Sequence, residues 1–278
     1  MPDFLKLRTR EQADILLTIA TKTGRAAHVL QKDVWLCWAL SELFSKKKRI
    51  RMAFKGGTSL SKVYGLINRF SEDVDITLDY RDLAPNMDPF ESGISRTKIG
   101  KLSKRLKACA WEYVVDEILP PLSKAFLHLT EGKGEINCSE KDEKVYLHYP
   151  SALNDSVGYI QDTILLEFGG RNVTEPNGPH KIVPFLADEL TALEFPSAEV
   201  MVLAPERTFW EKATLIHVDC NRQREKTQDR MSRHWYDLYM LGQSNIGSNA
   251  LADRALLEDV VAHKTVFFHS KDAHYDKC

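Results

Sequence analysis

The 278-residue sequence is poor in cysteine, and what it has is scattered: Cys37, Cys109, Cys138, Cys220 and Cys278, odd in number and without a CxxC spacing. That argues against a disulfide framework and for reduced thiols. No window approaches the ~18 uninterrupted apolar residues of a membrane span. The opening MPDFLKLRTREQ has no apolar centre of a signal peptide. The expectation is a cytoplasmic protein without a membrane partner. Repeats and low-complexity segments are missing too. So is a Walker loop: the motif requires G-x-x-x-x-G-K-[ST], whereas here Ser61 precedes Lys62 and Val63 follows it. Net charge is close to zero, at −1, and gives no global attraction to polyanions.

An apolar share of 43% beside 28% charged residues is that of an ordinary folded globular chain, and the length suits two lobes. Apolar spacing predicts two opening helices in REQADILLTIATKTG and AHVLQKDVWLCWALSELFSK. IRMAFK reads as a strand entering a turn at Gly56 and Gly57, after which Thr58 or Ser59 caps a helix to about Tyr64. DVDITLDY alternates, so Val74, Ile76 and Leu78 face a core while Asp73, Asp75, Thr77 and Asp79 face outward. A long helix from about Thr97 to Leu129 is interrupted at Pro120 and Pro121. KVYLHYP, DTILLEFGG, HKIVPFL and AEVMVLAP are strands. Helices follow at about Pro205–Cys220, Arg233–Gly242 and Leu251–His263. The tryptophans, Trp35, Trp38, Trp111, Trp210 and Trp235, occupy helical apolar positions and are expected mostly in the core, as are Phe209, Leu215 and Leu238.

The charge that is present is uneven. SKKKRIR gathers Lys46, Lys47, Lys48, Arg49 and Arg51; RTKIGKLSKRLK sets Lys98, Lys101, Lys104 and Arg105 on one helix face; NRQREKTQDRMSRH adds Arg222, Arg224, Lys226, Arg230 and Arg233. One such run is usually a solvated face, but three suit an RNA surface. The acidic strand has sharper chemistry. Asp73 and Asp75, two residues apart, project the same way. Magnesium binds through one or two carboxylates plus substrate phosphates, so this pair suits a magnesium–nucleotide clamp. The glycine turn just before it offers backbone N–H groups to phosphate oxygens.

The segment FKGGTSLSKVYGLINRFSEDVDI resembles the signature of the AbiEii/AbiGii-type nucleotidyltransferase toxins, a polymerase-β-like family that includes MenT-like toxins of type IV toxin–antitoxin systems. The resemblance implies an α/β fold: a small mixed, twisted sheet flanked by helices over residues 1–195, and a helical C-terminal lobe over 196–278 closing the nucleotide cleft. It implies metal-binding aspartates at Asp73 and Asp75, a phosphate-contacting Lys212 in APERTFWEKATLIH with Arg207 one turn earlier, and Asp237 in RHWYDLYML with Arg233 one turn before it. The nucleotide-binding set comprises Gly56, Gly57, Thr58, Ser59, Lys62, Ser71, Arg207 and Arg233. A third carboxylate is expected on a neighbouring strand, where DTILLEF offers Glu167, with Asp162 less well placed at its edge.

The expected function is magnesium-dependent transfer of an NMP from an NTP to RNA, with a tRNA 3′ end as the family's acceptor, blocking translation in a toxin–antitoxin or phage-exclusion pair with a cognate antitoxin. A protein hydroxyl as acceptor is the nearer alternative; a non-catalytic nucleotide- or RNA-binding module is the more distant one. His263, His269, His274 and Cys278 carry zinc-type donors, but without a paired spacing, so no zinc site is expected there.

Overall fold

In a computed structural model the structure describes residues 3–45, 50–69, 71, 73–91, 93–153, 161–222 and 231–275. Of the basic runs, Lys46 to Arg49, Arg224, Lys226 and Arg230 lie outside the described residues, as does Cys278. In chain order the elements are α1 (Thr9–Thr23), α2 (Ala27–Phe44), β1 (Met52–Lys55), α3 (Gly56–Lys62), β2 (Asp73–Asp79), α4 (Tyr80–Leu83), α5 (Arg96–Tyr113) and α6 (Leu119–Leu129). They continue with β3 (Glu135–Ser139), β4 (Lys144–His148), β5 (Thr163–Asn172), β6 (Asn177–Ile182), β7 (Ala198–Leu203), α7 (Pro205–Asn221), α8 (Met231–Gly242), α9 (Asn245–Ala252) and α10 (Arg254–Phe267).

The strands form one mixed sheet of seven in the order β3-β4-β5-β2-β1-β7-β6. β2 runs parallel to β5 and β1 parallel to β7, while the other neighbours are antiparallel. The architecture is thus the mixed α/β sheet flanked by helices that the sequence leads one to expect. Its first core lies where α2 and α6 meet the apolar side of the sheet. Val34, Trp35, Leu36, Trp38, Leu40 and Leu43 of α2 are buried against Val74, Ile76, Leu166, Phe168, Val200 and Val202. Trp35 stacks on Tyr149 and meets Phe126 edge-on, a geometry that favours aromatic pairs beyond their buried area. A second core joins Leu60 and Ile67 to Phe209, Trp210, Leu241, Ala250 and Val260 of the C-terminal helices. The short α3 therefore stands between the two.

Several expectations need correcting. β7 lies beyond the boundary drawn at 195/196, yet it hydrogen-bonds between β1 and β6 inside the sheet; we therefore propose that the helical lobe starts at Pro205. The 97–129 helix does not break at its prolines. Pro120 and Pro121 occupy the first turn of α6, where a missing N–H costs least, and a π-helical segment at Val114–Ile118 absorbs the irregularity before them. β3 and α9 were not foreseen, and the outward side of β2 is polar only at its start: Thr77 and Asp79 are fully buried. Trp235 is 51% exposed and Leu215 37% exposed, so neither is core. Lys98, Lys101, Lys104 and Arg105 do line the exposed side of α5, with Lys98 2.9 Å from Glu91. Arg51, also exposed, pairs with Asp82 at 2.8 Å and Glu175 at 3.3 Å.

Phe126 is fully buried between Trp35 and Trp38. Phe126→Ala is expected to lower unfolding free energy by about 3–5 kcal/mol, the usual range for emptying an aromatic core site, measured by urea denaturation.

Candidate active site

The site begins where β1 ends. Gly56 turns the chain with φ +78°, a conformation that favours glycine. A side chain there would place its Cβ 2.1 Å from Oδ2 of Asp75, so the turn closes directly onto that carboxylate. A Cβ on Gly57 would lie 2.6 Å from Nη2 of Arg69 and 3.0 Å from Oγ of Ser71. The glycine pair thus brings α3 against the loop that enters the acidic strand. The Thr58 hydroxyl donates to the Asp73 carbonyl at 2.5 Å, and the Ser59 hydroxyl donates to the Gly56 carbonyl at 2.9 Å. These hydroxyls tie turn to strand. Neither caps α3, whose N-cap, Lys55, makes no side-chain capping bond.

Strand register assembles the charges. Asp75 is paired with Lys55 across β1 and with Glu167 across β5, and Glu167 is paired with Lys144 across β4. Residues paired in this way share a face of the sheet, about 4.8 Å apart per strand. Glu167 accepts from Lys144 at 2.7 Å, which tempers its charge. Asp162 is elsewhere, 3.4 Å from the Gln31 amide. Burial pushes Asp75 up to about 7; Lys55 opposes the shift, while Glu167 and Asp73 reinforce it. Removal from water is the main cause, as for any carboxyl buried away from solvent.

The opposite wall comes from α7 and α8. Asp237 is fully buried and accepts from Nε and Nη2 of Arg69, both at 2.7 Å, and from Lys212 at 2.9 Å. Burial alone would raise its pKa, but the hydrogen bonds from Arg69 and the charge of Lys212 hold it below the ordinary carboxylate value. One carboxylate so joins the loop before β2, α7 and α8. Arg233 stands one turn before it on α8, partly buried. Beside this triad, Glu211 lies 3.3 Å from Lys55 and 3.7 Å from Arg207. Burial opposes its ionisation, yet Lys55, Lys264 and Arg207 hold it down to about 2. Arg207 also pairs with Asp259 at 2.6 Å, a structural engagement that the phosphate-binding expectation did not include.

Lys62 departs furthest from its expected place. Its ammonium lies 2.7 Å from Asp33 and 3.7 Å from the centre of the Phe185 ring, and Asp33 also accepts from the Phe185 N–H at 2.7 Å. Lys62 is a pin between α2 and α3. Arg69, Lys55 and Glu211 were given no role in the expected site, although Glu211 adjoins Lys212 in the sequence. Arg69 lay in the quoted motif, and its signal was an arginine four residues before Asp73; nothing local marks the pairing of the other two, which meet across 156 residues of chain.

Among the described residues no group of three or more His, Cys, Asp or Glu side chains forms a ready metal cage. The donor set nonetheless fits a hard cation. Asp73 and Asp75 offer carboxylate oxygens on one face, and magnesium completes its shell with phosphate and water.

Comparison with known families decides the reading. The family model "Nucleotidyl transferase AbiEii toxin, Type IV TA system" matches residues 38–276. The chain belongs to the AbiEii nucleotidyltransferase toxin family. The match includes the glycine turn, the acidic strand and the Lys212–Asp237 wall. Among solved structures, the chain is similar to MenT4, a nucleotidyltransferase toxin from Mycobacterium tuberculosis H37Rv, at 13% identity and a TM-score of 0.44, covering 94% of this chain and 99% of that one. Among curated proteins no sequence relative matches. No helix among the described residues is long and apolar enough to cross a membrane.

The Asp237 triad yields a stability prediction. Asp237→Ala leaves Lys212 as a buried charge and Arg69 as a partly buried one without their carboxylate, and removal of one partner from a buried set costs about 3–5 kcal/mol. A thermal midpoint within a degree of wild type would show that the carboxylate does not hold the wall together.

Proposed function

We propose that this AbiEii-family toxin transfers an NMP from an NTP to the 3′-terminal hydroxyl of a tRNA, with magnesium, and thereby blocks translation until a cognate antitoxin relieves it. Such a pair would serve in toxin–antitoxin control or phage exclusion, in the cytoplasm. The observation that supports the chemistry is that Asp75, closed under the Gly56 turn, lies within electrostatic reach of a Lys212 held by a buried carboxylate.

In this reading Asp73 and Asp75 would hold the metal, which when bound would supply charge neutralisation at the triphosphate and acidify the acceptor hydroxyl. Lys212 contacts the phosphates as a point charge, positioned by Asp237, which Arg69 fixes in turn. Gly56, Gly57 and Ser71 border the phosphates, with Thr58 and Ser59 holding the turn. Arg233 and Arg207 support the wall behind Lys212. The acceptor oxygen attacks the α-phosphorus, the bond to the bridging oxygen of the β-phosphate breaks, and pyrophosphate departs. Glu167, beside Asp75 in register, receives the hydroxyl proton. Catalysis of this kind rests on positioning and on charge stabilisation. The exposed cations of α5 supply phosphate contacts that position RNA without reading its sequence.

Incubation with each α-labelled NTP, magnesium and total tRNA tests the proposal. Label is expected on tRNA with wild type. Asp73→Asn and Asp75→Asn are expected to lose it by at least ~100-fold, the scale of removing a major electrostatic stabiliser. Asp75→Asn should also keep or raise the thermal midpoint, because it removes a carboxyl whose ionised form is disfavoured by burial first and by Glu167 and Asp73 second. Label on protein rather than tRNA would assign a protein hydroxyl as acceptor; near-full activity in either variant would remove the aspartates from the chemistry.

A further inference from the structure

Between the end of β5, α7 and the chain after α10 lies a cavity of 410 Å³, lined among others by Arg171, Arg222, Lys264, Phe268 and Tyr275. Its charge is one-sided, since Asp219 is the single acid among its lining residues. Arg222 has a distant partner, Asp272 at 3.8 Å. Arg171 and Lys264 have no carboxylate at ion-pair distance among the described residues; instead both lie over the Phe268 ring, at 4.8 Å and 5.0 Å from its centre. Cations over an aromatic face are attracted to it, but the ring does not cancel their charge. Burial lowers the pKa of each below its ordinary value, against the opposing charge of Glu143 on Arg171 and of Glu211 on Lys264.

The two cations are held in place. His263 of α10 makes a 2.7 Å hydrogen bond from Nε2 to the Arg171 carbonyl, and its ring packs against Tyr80 and Phe267. This docks α10 on β5 and fixes Lys264 beside Arg171. The cavity also adjoins the site described above: Lys264 is one of the cations that hold Glu211 ionised, and Arg171 follows Glu167 by four residues on β5, roughly 13 Å at ~3.3 Å per residue.

We propose that this cavity binds a phosphodiester of the acceptor strand, upstream of the reacting 3′ end, with Arg171 and Lys264 on the phosphate and Phe268 offering its ring to a neighbouring base. The inference rests on the reading of RNA as acceptor. A polynucleotide is favoured over a free nucleotide by the spacing: the reactive end belongs at Asp73 and Asp75, and roughly four stacked nucleotides, at ~3.4 Å per phosphate along a strand, cover the distance from Glu167 to Arg171. Base stacking on aromatic side chains tolerates any sequence, which suits a subsite that positions a strand.

The test compares binding of a single-stranded RNA octamer, a trinucleotide and an NTP to full-length wild type, Arg171→Gln, Lys264→Gln and the double variant, by fluorescence anisotropy and thermal shift. The double variant is expected to weaken octamer binding at least tenfold and to make its salt slope shallower by about 0.7, the value of one single-strand phosphate. Trinucleotide binding should be the same for wild type and the double variant. NTP binding and the unliganded thermal midpoint should both be unchanged in Arg171→Gln, whose guanidinium is half-buried and has no carboxylate at ion-pair distance among the described residues. Octamer affinity equal to wild type would overturn the proposal. So would a loss of NTP affinity in Arg171→Gln, which would make the cavity a free-nucleotide site, or a lowered thermal midpoint with all three ligands weakened alike, which would make the two cations structural. If wild type bound no octamer while still consuming NTP, the RNA reading itself would fail and this subsite with it.

Discussion

The structure depends on one costly arrangement, a carboxylate on a partly buried strand with a second beside it. Asp75 lies under the Gly56 turn, in register with Glu167 on one side and Lys55 on the other. Like charges at this spacing repel strongly where water is scarce. The fold answers by surrounding the acids with cations held at fixed places rather than by pairing each one directly. Lys144 takes Glu167, Lys55 is shared with Glu211, and Lys212 stands across the cleft on Asp237. Burial meanwhile pushes the Asp75 carboxyl up to about 7, and a bound cation would favour its ionised form.

The same logic explains why the C-terminal helices are joined to the sheet through ions as much as through apolar contact. Their own core, around Phe209, Trp210 and Leu241, reaches the rest of the chain through Leu60 and Ile67. The Asp237 carboxylate then fixes Arg69, in the loop before β2, to the helix that carries Lys212. A buried set of this kind is weak as a source of stability but strict about geometry, since any misplacement leaves a charge unpaired. That strictness suits a site whose chemistry is positioning.

Much of this was legible in the sequence because it is local. The glycine turn and the two aspartates sit within twenty residues of each other, and Val74 and Ile76 alternate with them as a half-buried strand must. The family signature occupies the same segment. Less was legible where partners are distant. Lys62 follows the glycine turn and looked like a phosphate ligand, but Asp33 on α2 had prior claim to it. The alternation of β2 promised an outward Asp79; its burial comes from Arg81 and Thr174 folding over it. Trp235 has the spacing of a core residue and is exposed because Asp237, two positions on, must face inward to meet Arg69. β7 was read as a strand, but its place between β1 and β6 is a matter of topology that no local pattern records.

The central claim is that Asp73 and Asp75 together form the metal–nucleotide site. Crystals grown with manganese and a non-hydrolysable NTP test it most directly through the anomalous signal of the metal. The account predicts a manganese peak bound by carboxylate oxygens of both aspartates and by triphosphate oxygens, with Lys212 against the phosphates. A nucleotide bound elsewhere, or a metal touching neither aspartate, would contradict it.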